Sequence, residues 1–158
     1  SGPLHGGANE AVFRMLEEIP TVEDAEPWVR AKLAQKARIM GFGHAVYKTT
    51  DPRATHLKRM ARALAEESGN SRLYEISTRI EELMLAEKGL HANVDFYSAT
   101  VYHVLGIPTD LFTPVFAVSR ITGWTAHVLE QLSDNRIIRP RAEYVGPVDQ
   151  HYVPISER

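Results

Sequence analysis

The sequence predicts an all-α protein of about six helices, and three kinds of observation lead to this fold class. Apolar residues recur every three or four positions in several segments, which is the spacing of one helix face. Residues that favour helix starts precede these segments, and glycines follow two of them. One further segment, residues 109–132, is apolar on several faces and predicts a long, mostly buried helix.

Two helices are predicted before residue 40. The first covers residues 4–18, where apolar residues fall at helical spacing and two glycines weaken the first turn. Thr21 is the predicted cap of the second helix, over residues 23–34, which has acidic residues in its first turn. Residues 35–40 predict a short extended connection.

The next two helices are delimited by their end residues. Asp51 is the predicted N-cap of a helix that continues to residue 67, and the proline after it suits the first helical position. Gly69 ends this helix, and Gly89 ends the following one, over residues 71–88. The residues of that following helix predicted to face the core are Ile76, Ile80, Leu83 and Met84.

The second half of the chain predicts a capped helix, the long helix and a tail. Asn93 is the expected cap of a helix over residues 94–105, which Gly106 and Pro108 interrupt. Periodicity then fades over residues 136–158, which predict an extended tail that is stable only against another surface, such as a second subunit. The residues predicted to bury the long helix are Val115, Phe116, Val118, Ile121, Trp124, Val128 and Leu129.

Composition limits the class of protein. The chain has 158 residues, 44% of them hydrophobic and 24% charged, which is typical of one globular domain. The net charge of −2 with neutral histidines gives no positive excess for nucleic acid or an anionic membrane. Cysteine is absent, which excludes disulfides and thiolate metal sites and fits a cytoplasmic setting. The start of the chain lacks Met and a signal-peptide pattern, which suggests a start inside a longer chain.

A glycine-rich loop before the third predicted helix is a candidate binding site. Gly41 and Gly43 flank an aromatic residue and are followed by His44, and Arg53 follows in the first turn of the helix. Free N–H groups and the helix dipole favour an anion at such a position. The segment predicts a site for a small ligand that carries carboxylates. A surface loop with an exposed histidine and an exposed arginine would explain the same residues.

Three other residues are candidates for chemistry, and each has a structural alternative. His5 lies at a helix start, where the dipole favours a neutral imidazole that can donate to a developing oxyanion; a capping histidine is the alternative. Asp95 lies among apolar neighbours and suits a general base, or it stabilises its helix as a first-turn acid. Arg120 interrupts the apolar helix, where a buried arginine needs a ligand or a salt bridge.

The remaining polar residues give weaker signals. Arg139 and Arg141 lie in the tail, where a solvated basic stretch is the default interpretation. The other histidines have no ligand spacing with one another or with an acid, so no metal site is predicted. The sequence also lacks a G-x-S-x-G elbow and a P-loop, which leaves serine hydrolases and nucleotide kinases without support.

Five motifs, in order along the chain, resemble the citrate synthase family. They are Ser1-Gly2-Pro3-Leu4-His5-Gly6, Gly41 to Arg53, Asn93-Val94-Asp95-Phe96, Val118-Ser119-Arg120 and Ile138-Arg139-Pro140-Arg141. With the helix that contains Gly-Trp-Thr-Ala-His-Val-Leu-Glu-Gln, they span almost the whole chain. The resemblance implies the C-terminal part of such an enzyme: a helical small domain over residues 1–108, a large-domain helix over residues 109–135 and a tail over residues 136–158.

The resemblance also implies an activity, the condensation of acetyl-CoA with oxaloacetate to citrate and CoA in the tricarboxylic acid cycle. His5 would hydrogen-bond the thioester carbonyl, Asp95 would remove the methyl proton, and His44 would polarise the ketone. Such a reaction requires a base and preorganised donors that act together, because the proton next to a thioester is a very weak acid.

Further residues acquire binding roles from the same resemblance. Arg53 and Arg120 would hold the carboxylates of oxaloacetate, and Arg139 would enter the partner subunit's site in a homodimer. No cofactor would be bound permanently, since acetyl-CoA is a cosubstrate. The residues implied to lie beside CoA are Lys48, near a phosphate, and Arg38, Met40, Gly41 and Gly43, near the adenine.

Two alternatives stay open. One is 2-methylcitrate synthase, which takes propionyl-CoA, because one methylene in a pocket is worth only ~1–3 kcal/mol of discrimination. The other is a non-catalytic all-α interaction module, which would have no reason to keep this set of histidines, arginines and an aspartate together. The resemblance further implies that this chain alone is inactive, since most of the large domain precedes the matching part in relatives.

Overall fold

The structure, a computed structural model, describes residues 6–158 and forms six α-helices in that part of the chain. They are α1 (Ala8–Glu17), α2 (Ala25–Ala34), α3 (Pro52–Ser68), α4 (Arg72–Lys88), α5 (Val94–Val104) and α6 (Phe112–Ser133). Two short 3₁₀ helices, Thr109–Leu111 and Ile155–Glu157, complete the regular elements. The described residues form no strand, and an isolated antiparallel bridge joins Phe42 to Ala92. The predicted all-α class is confirmed.

Local residues set four helix ends as the sequence predicts. The side chains of Asp51 and Asn93 cap α3 and α5, and each accepts a hydrogen bond of 3.0 Å from the backbone N–H two residues on. Gly69 and Gly89 end α3 and α4 in the left-handed region, with φ of 67° and 64°. Each side-chain cap satisfies a helix N–H that has no partner within its own helix.

The first two helices begin later than predicted. Gly7 precedes α1 in a left-handed conformation with φ of 75°, so the helix begins at Ala8. The prediction of Thr21 as the cap of α2 is wrong. The carboxylate of Asp24 accepts from the N–H and the hydroxyl of Thr21 at 3.2 and 2.8 Å, and α2 begins after Asp24. A carboxylate three residues on thus takes the hydroxyl that was expected to cap the helix.

The core forms around α5. The helices α3 and α1 pack on α5, and α2 packs on α4. The largest fully buried apolar side chains of the core include Phe96 and Tyr97 of α5 and Leu16 of α1. Full burial of such a side chain contributes roughly 1.5–3 kcal/mol. The inward-facing residues predicted for α4 are all buried, and they are Ile76, Ile80, Leu83 and Met84.

The predicted burial of α6 is wrong. Among its residues only Phe112 is buried, against the rings of Phe13 and Tyr102. Val118 is 72% exposed and Ile121 is 53% exposed, and the apolar residues further along α6 are exposed too. Its apolar pattern predicts that something covers this helix, but the described residues of this chain do not supply the cover.

The chain divides into two compact units, Ser1–Gly123 and Trp124–Arg158. The first contains α1 to α5 and the core. The second contains the end of α6, a stretch without helix or strand from residue 135 to residue 154, and the 3₁₀ helix Ile155–Glu157. The expectation of an extended tail over residues 136–158 stays a prediction. Within residues 6–158, none of the helices is long and apolar enough to span a membrane.

A short backbone pairing joins the loop before α3 to the loop before α5. The N–H of Gly43 donates to the carbonyl of His91 at 3.0 Å, and the N–H of Asn93 donates to the carbonyl of Gly41 at 2.9 Å. The side-chain amide of Asn93 adds a bond of 3.0 Å to the carbonyl of Gly43. These contacts bring the residues that precede the two helices side by side.

Gly41 is a glycine for two reasons at this pairing. Its φ of +85° lies in a region that other residues rarely adopt. A Cβ at this position would lie 2.8 Å from Cδ2 of Phe96 and 2.9 Å from Cγ2 of Val12. The main chain thus passes directly against α1 and α5, so packing as well as backbone conformation excludes a side chain.

We expect Gly41→Ala to destabilise the fold by about 2–4 kcal/mol, because overpacking adds to the left-handed backbone cost. The matched control is Gly89→Ala, where φ is +64° and nothing lies within 4 Å of the added Cβ. The control should lose only about 1–2 kcal/mol. Urea unfolding of both variants measures the difference, and equal losses would contradict the packing role of Gly41.

Candidate functional site

One cleft of the first unit collects most of the predicted site residues. Its volume is about 780 Å³, which is within the range of small-molecule sites. The loop before α3, the starts of α3 and α5 and one side chain of α6 line it. The predicted residues among its lining are Arg38, Met40, Gly41, Gly43, His44, Arg53, Asp95 and Arg120.

The remaining predicted residues are Lys48, Arg139 and His5. Lys48 lines a neighbouring cavity of about 200 Å³, which shares Gly43 and His44 with the main cleft. Arg139 belongs to the second unit. His5 lies outside the described residues. The roles predicted for all of these residues stay predictions. Within residues 6–158, no group of three His, Asp or Glu side chains could hold a metal ion.

His44 is held by the backbone that follows it. Its Nδ1 accepts hydrogen bonds from the N–H groups of Val46 and Tyr47 at 3.0 and 3.1 Å. The ring of Tyr47 also lies against the imidazole, with 4.5 Å between the ring centres. Because Nδ1 accepts, the uncharged imidazole carries its proton on Nε2. The loop therefore fixes His44 as a donor through Nε2.

A second donor lies beside that nitrogen. Nη2 of Arg53 is 3.4 Å from Nε2 of His44. A guanidinium has no acceptor, so two N–H donors stand side by side without satisfying each other. An oxygen that accepts from both is the complement of this arrangement, and a carboxylate or a ketone next to a carboxylate offers one. The geometry of this pair is therefore suited to an oxyacid.

The carboxylate of Asp51 orients the guanidinium of Arg53. Its side chain is 1% exposed and makes an ion pair of 2.8 Å with Nη2 of Arg53. It also accepts from Nε and the backbone N–H of Arg53, both at 3.0 Å, and from the N–H of Val94 at 3.2 Å. Sequence reasoning assigned Asp51 only as a helix cap. The spacing Asp-Pro-Arg was the local signal for its contact with the guanidinium.

The charges around Asp51 shift the pKa values of both partners. Burial raises the pKa of Asp51, but the hydrogen bonds and charge of Arg53 and the N–H of Val94 outweigh burial, and its pKa lies below the usual value. The hydrogen bond to Asp51 raises the pKa of Arg53, and a smaller contribution comes from the charge of Asp95. The pair is therefore fully ionised near neutral pH.

Asp95 lies at the second position of α5 and faces the same cleft. Its backbone N–H donates to the cap Asn93, and its side chain is half-buried. Burial raises the pKa of Tyr102, and the charge of Asp95 adds to that effect. The charge of Asp95 thus raises the pKa of both Arg53 and Tyr102.

Arg120 differs from the expectation of a buried arginine. It is exposed, and its guanidinium lies 5.1 Å from the ring centre of Phe116, one helical turn earlier on α6. The cause is the uncovered face of α6, which leaves this position in contact with water. Arg120 nevertheless lines the cleft, as do Arg38 and Arg53.

Comparison with known proteins places these motifs in a family. Residues 1–141 match the family model described as "Citrate synthase, C-terminal domain". Citrate synthase 2 of Bacillus subtilis is 63% identical over 157 residues, which cover 99% of this chain and 42% of the relative. A 2-methylcitrate synthase of Shewanella oneidensis is 50% identical over the same shares.

A solved structure gives the same result for the fold. It is a citrate synthase from Thermoplasma acidophilum, in a ternary complex with carboxymethyl coenzyme A and oxaloacetate. It matches with a TM-score of 0.83 and 44% identity, over 99% of this chain and 43% of that chain. The present chain thus spans less than half the length of these three relatives.

The buried carboxylate should make stability depend on pH in the acid range. A lowered pKa means that the stabilisation by Asp51 is present above its ordinary value of 3.8 and is lost as pH falls through the folded-state pKa. We expect Asp51→Asn to cost roughly 1–3 kcal/mol at pH 7, and the difference from wild type should shrink below pH 3.8. Urea unfolding across this range measures it. A difference that does not change with pH would contradict the ion pair.

Proposed function

Because this chain belongs to the citrate synthase family, we propose that it is the C-terminal part of an enzyme that condenses acetyl-CoA with oxaloacetate to citrate and CoA. One observation carries the proposal. Nε2 of His44 and Nη2 of Arg53 lie 3.4 Å apart in the cleft that Asp95 also lines. A keto acid with two carboxylates supplies oxygen acceptors for both donors, and the nearby carboxylate supplies a base.

The chemistry follows from these positions. Asp95 takes a methyl proton from the thioester while a donor stabilises the enolate oxygen, a role that the family motif gives to His5. The enolate carbon then forms a bond to the ketone carbon of oxaloacetate. His44 donates to the ketone oxygen as negative charge develops there. Hydrolysis of the thioester releases CoA and citrate.

The arginines supply binding and charge neutralisation. Arg53 holds one carboxylate of oxaloacetate beside His44, and Arg120 holds another from across the cleft. Arg139 acts in the site of the partner subunit of a homodimer. The residues proposed to contact CoA are Arg38, Met40, Gly41, Gly43 and Lys48. We place the enzyme in the cytoplasm, a setting compatible with a sequence that has no cysteine.

A second candidate substrate has its own support. The relative from Shewanella oneidensis, 50% identical, is a 2-methylcitrate synthase. That activity uses propionyl-CoA in place of acetyl-CoA. Both reactions require the same base, the same ketone donor and the same arginines, and they differ by one methylene in the acyl pocket.

We expect the 158-residue chain to show little or no condensation, because the other part of the active-site walls would be absent and water would enter the cleft. The assay follows CoA release with oxaloacetate and either acetyl-CoA or propionyl-CoA. It is run on this chain and on a full-length protein. The full-length protein can be a fusion of the N-terminal part of the Bacillus subtilis relative with this chain. Turnover by this chain equal to that of the full-length protein would refute the expectation. The rates of the full-length protein with acetyl-CoA and with propionyl-CoA decide between the two substrates.

In the full-length enzyme, Asp95→Asn should reduce condensation by about 10²–10⁴-fold and leave oxaloacetate affinity largely unchanged, because asparagine keeps the shape but cannot accept the proton. Arg120→Leu is the contrasting variant. It should weaken oxaloacetate binding first, since it removes a carboxylate partner. The rate at which the acetyl-CoA methyl protons exchange with deuterated solvent, in the presence of an oxaloacetate analogue, measures proton removal by the base directly. Wild-type exchange by the Asp95→Asn enzyme would show that Asp95 is not the base.

A further inference from the structure

We propose that Asp51 is a positioning residue for this reaction, which fixes the guanidinium of Arg53 against His44 and joins it to the start of the helix that carries Asp95. The inference rests on the proposed function in one respect: Arg53 is taken to bind a substrate carboxylate. The contacts of Asp51 itself do not depend on that assignment.

The carboxylate of Asp51 has no capacity left for a ligand. Its Oδ1 accepts from the backbone N–H and from Nε of Arg53, and its Oδ2 accepts from Nη2 of Arg53 and from the N–H of Val94. A carboxylate offers about four lone-pair sites, so the four bonds saturate it. Its side chain is 1% exposed, and it is not among the described residues that line the cleft of about 780 Å³. Asp51 therefore acts through Arg53 and Val94.

The bonds to the guanidinium determine which of its N–H groups face the ligand. Nε and one N–H of Nη2 are engaged by the carboxylate, and the donors that remain are the two on Nη1 and the other on Nη2. Nη2 is also the atom 3.4 Å from Nε2 of His44. The side chain of Arg53 is 44% exposed, so without Asp51 it would be free to adopt many conformations in water. The ion pair removes that freedom before substrate arrives.

The bond to Val94 extends this control to the base. Val94 is the first residue of α5 and Asp95 is the second. The hydrogen bond of 3.2 Å from its N–H to Asp51 spans 43 positions of sequence. One side chain thus caps the starts of two helices, α3 and α5. A shift of Asp51 would move the carboxylate clamp and the proton acceptor together.

A simple charge effect predicts the opposite sign, which makes the proposal testable. If Asp51 only placed a negative charge near the site, its removal would strengthen binding of an anionic substrate. If Asp51 positions Arg53, its removal weakens that binding. Asparagine keeps one acceptor oxygen, but its amide turns a donor towards two other donors, on Arg53 and Val94.

The test compares Asp51→Asn with Glu81→Gln in the full-length enzyme. Glu81 is a matched control because its Oε2 lies 2.5 Å from Nζ of Lys58 and 2.5 Å from the hydroxyl of Tyr97, so it joins α3, α4 and α5 without touching Arg53 or Val94. The dissociation constant for oxaloacetate is measured by calorimetry. We expect Asp51→Asn to raise it by about tenfold to a hundredfold and to lower kcat, and Glu81→Gln to change neither by more than about threefold.

A double-mutant cycle separates positioning from general destabilisation. Arg53→Ala should weaken oxaloacetate binding strongly in the wild-type and Glu81→Gln backgrounds, but little further in the Asp51→Asn background. An unchanged or lower dissociation constant for Asp51→Asn, or a full effect of Arg53→Ala in that background, would overturn the proposal. Circular dichroism confirms that each variant is folded.

A measurement without substrate decides the remaining case. In the arginine-labelled enzyme, the Nε–H of Arg53 should exchange slowly with water, and Asp51→Asn should accelerate that exchange while Glu81→Gln should not. If wild-type enzyme does not bind oxaloacetate, or Arg53→Ala has no effect on binding, the proposed function fails and this exchange still tests the positioning of Arg53. Equal exchange in wild type and Asp51→Asn overturns the proposal whatever the substrate.

Discussion

Two helix starts meet beside the cleft, and the rest of the site depends on how their charges and N–H groups are satisfied. The N-termini of α3 and α5 both carry the positive end of a helix dipole, and each leaves backbone donors without a helical partner. The buried carboxylate of Asp51 accepts from the backbone of Arg53 in α3 and from Val94 in α5. A single negative charge thus stabilises the convergence of two positive ends. The backbone pairing at Phe42 and Ala92 also joins the loop before α3 to the loop before α5.

Much of this arrangement was predictable because its causes are local. The caps of Asp51 and Asn93 act within two residues, and the glycines at helix ends need only their own backbone conformation. Non-local causes were missed. The need for glycine at position 41 comes from Val12 and Phe96, and the bond from Val94 to Asp51 crosses 43 positions. The roles of the candidate residues came from family motifs, whereas residue chemistry alone left a structural alternative for each.

The errors over α6 have one origin. An apolar helix pattern indicates that a surface is to be buried, but it does not say which part of the protein buries it. No described residues of this chain cover this face of α6, which leaves Val118, Ile121 and Arg120 exposed. This matters for binding, because an ion pair made in water contributes about 0–1 kcal/mol, whereas a partly desolvated pair contributes more. The side of the cleft around His44 is organised by contacts within this chain, whereas α6 is buried in the described part of the chain only at Phe112, near its start.

The choice between an acetyl and a propionyl group depends on apolar volume and not on the polar donors of the cleft. Under the proposed function, His44 and Arg53 donate to ketone and carboxylate oxygens, and these oxygens belong to oxaloacetate in either condensation. A methylene adds no acceptor and no charge, so this polar network cannot detect it. Discrimination between acetyl and propionyl groups must come from apolar volume, where it is limited to ~1–3 kcal/mol. Relatives that are 63% and 50% identical to this chain carry the two different activities in their names, so overall similarity does not decide between the two acyl groups.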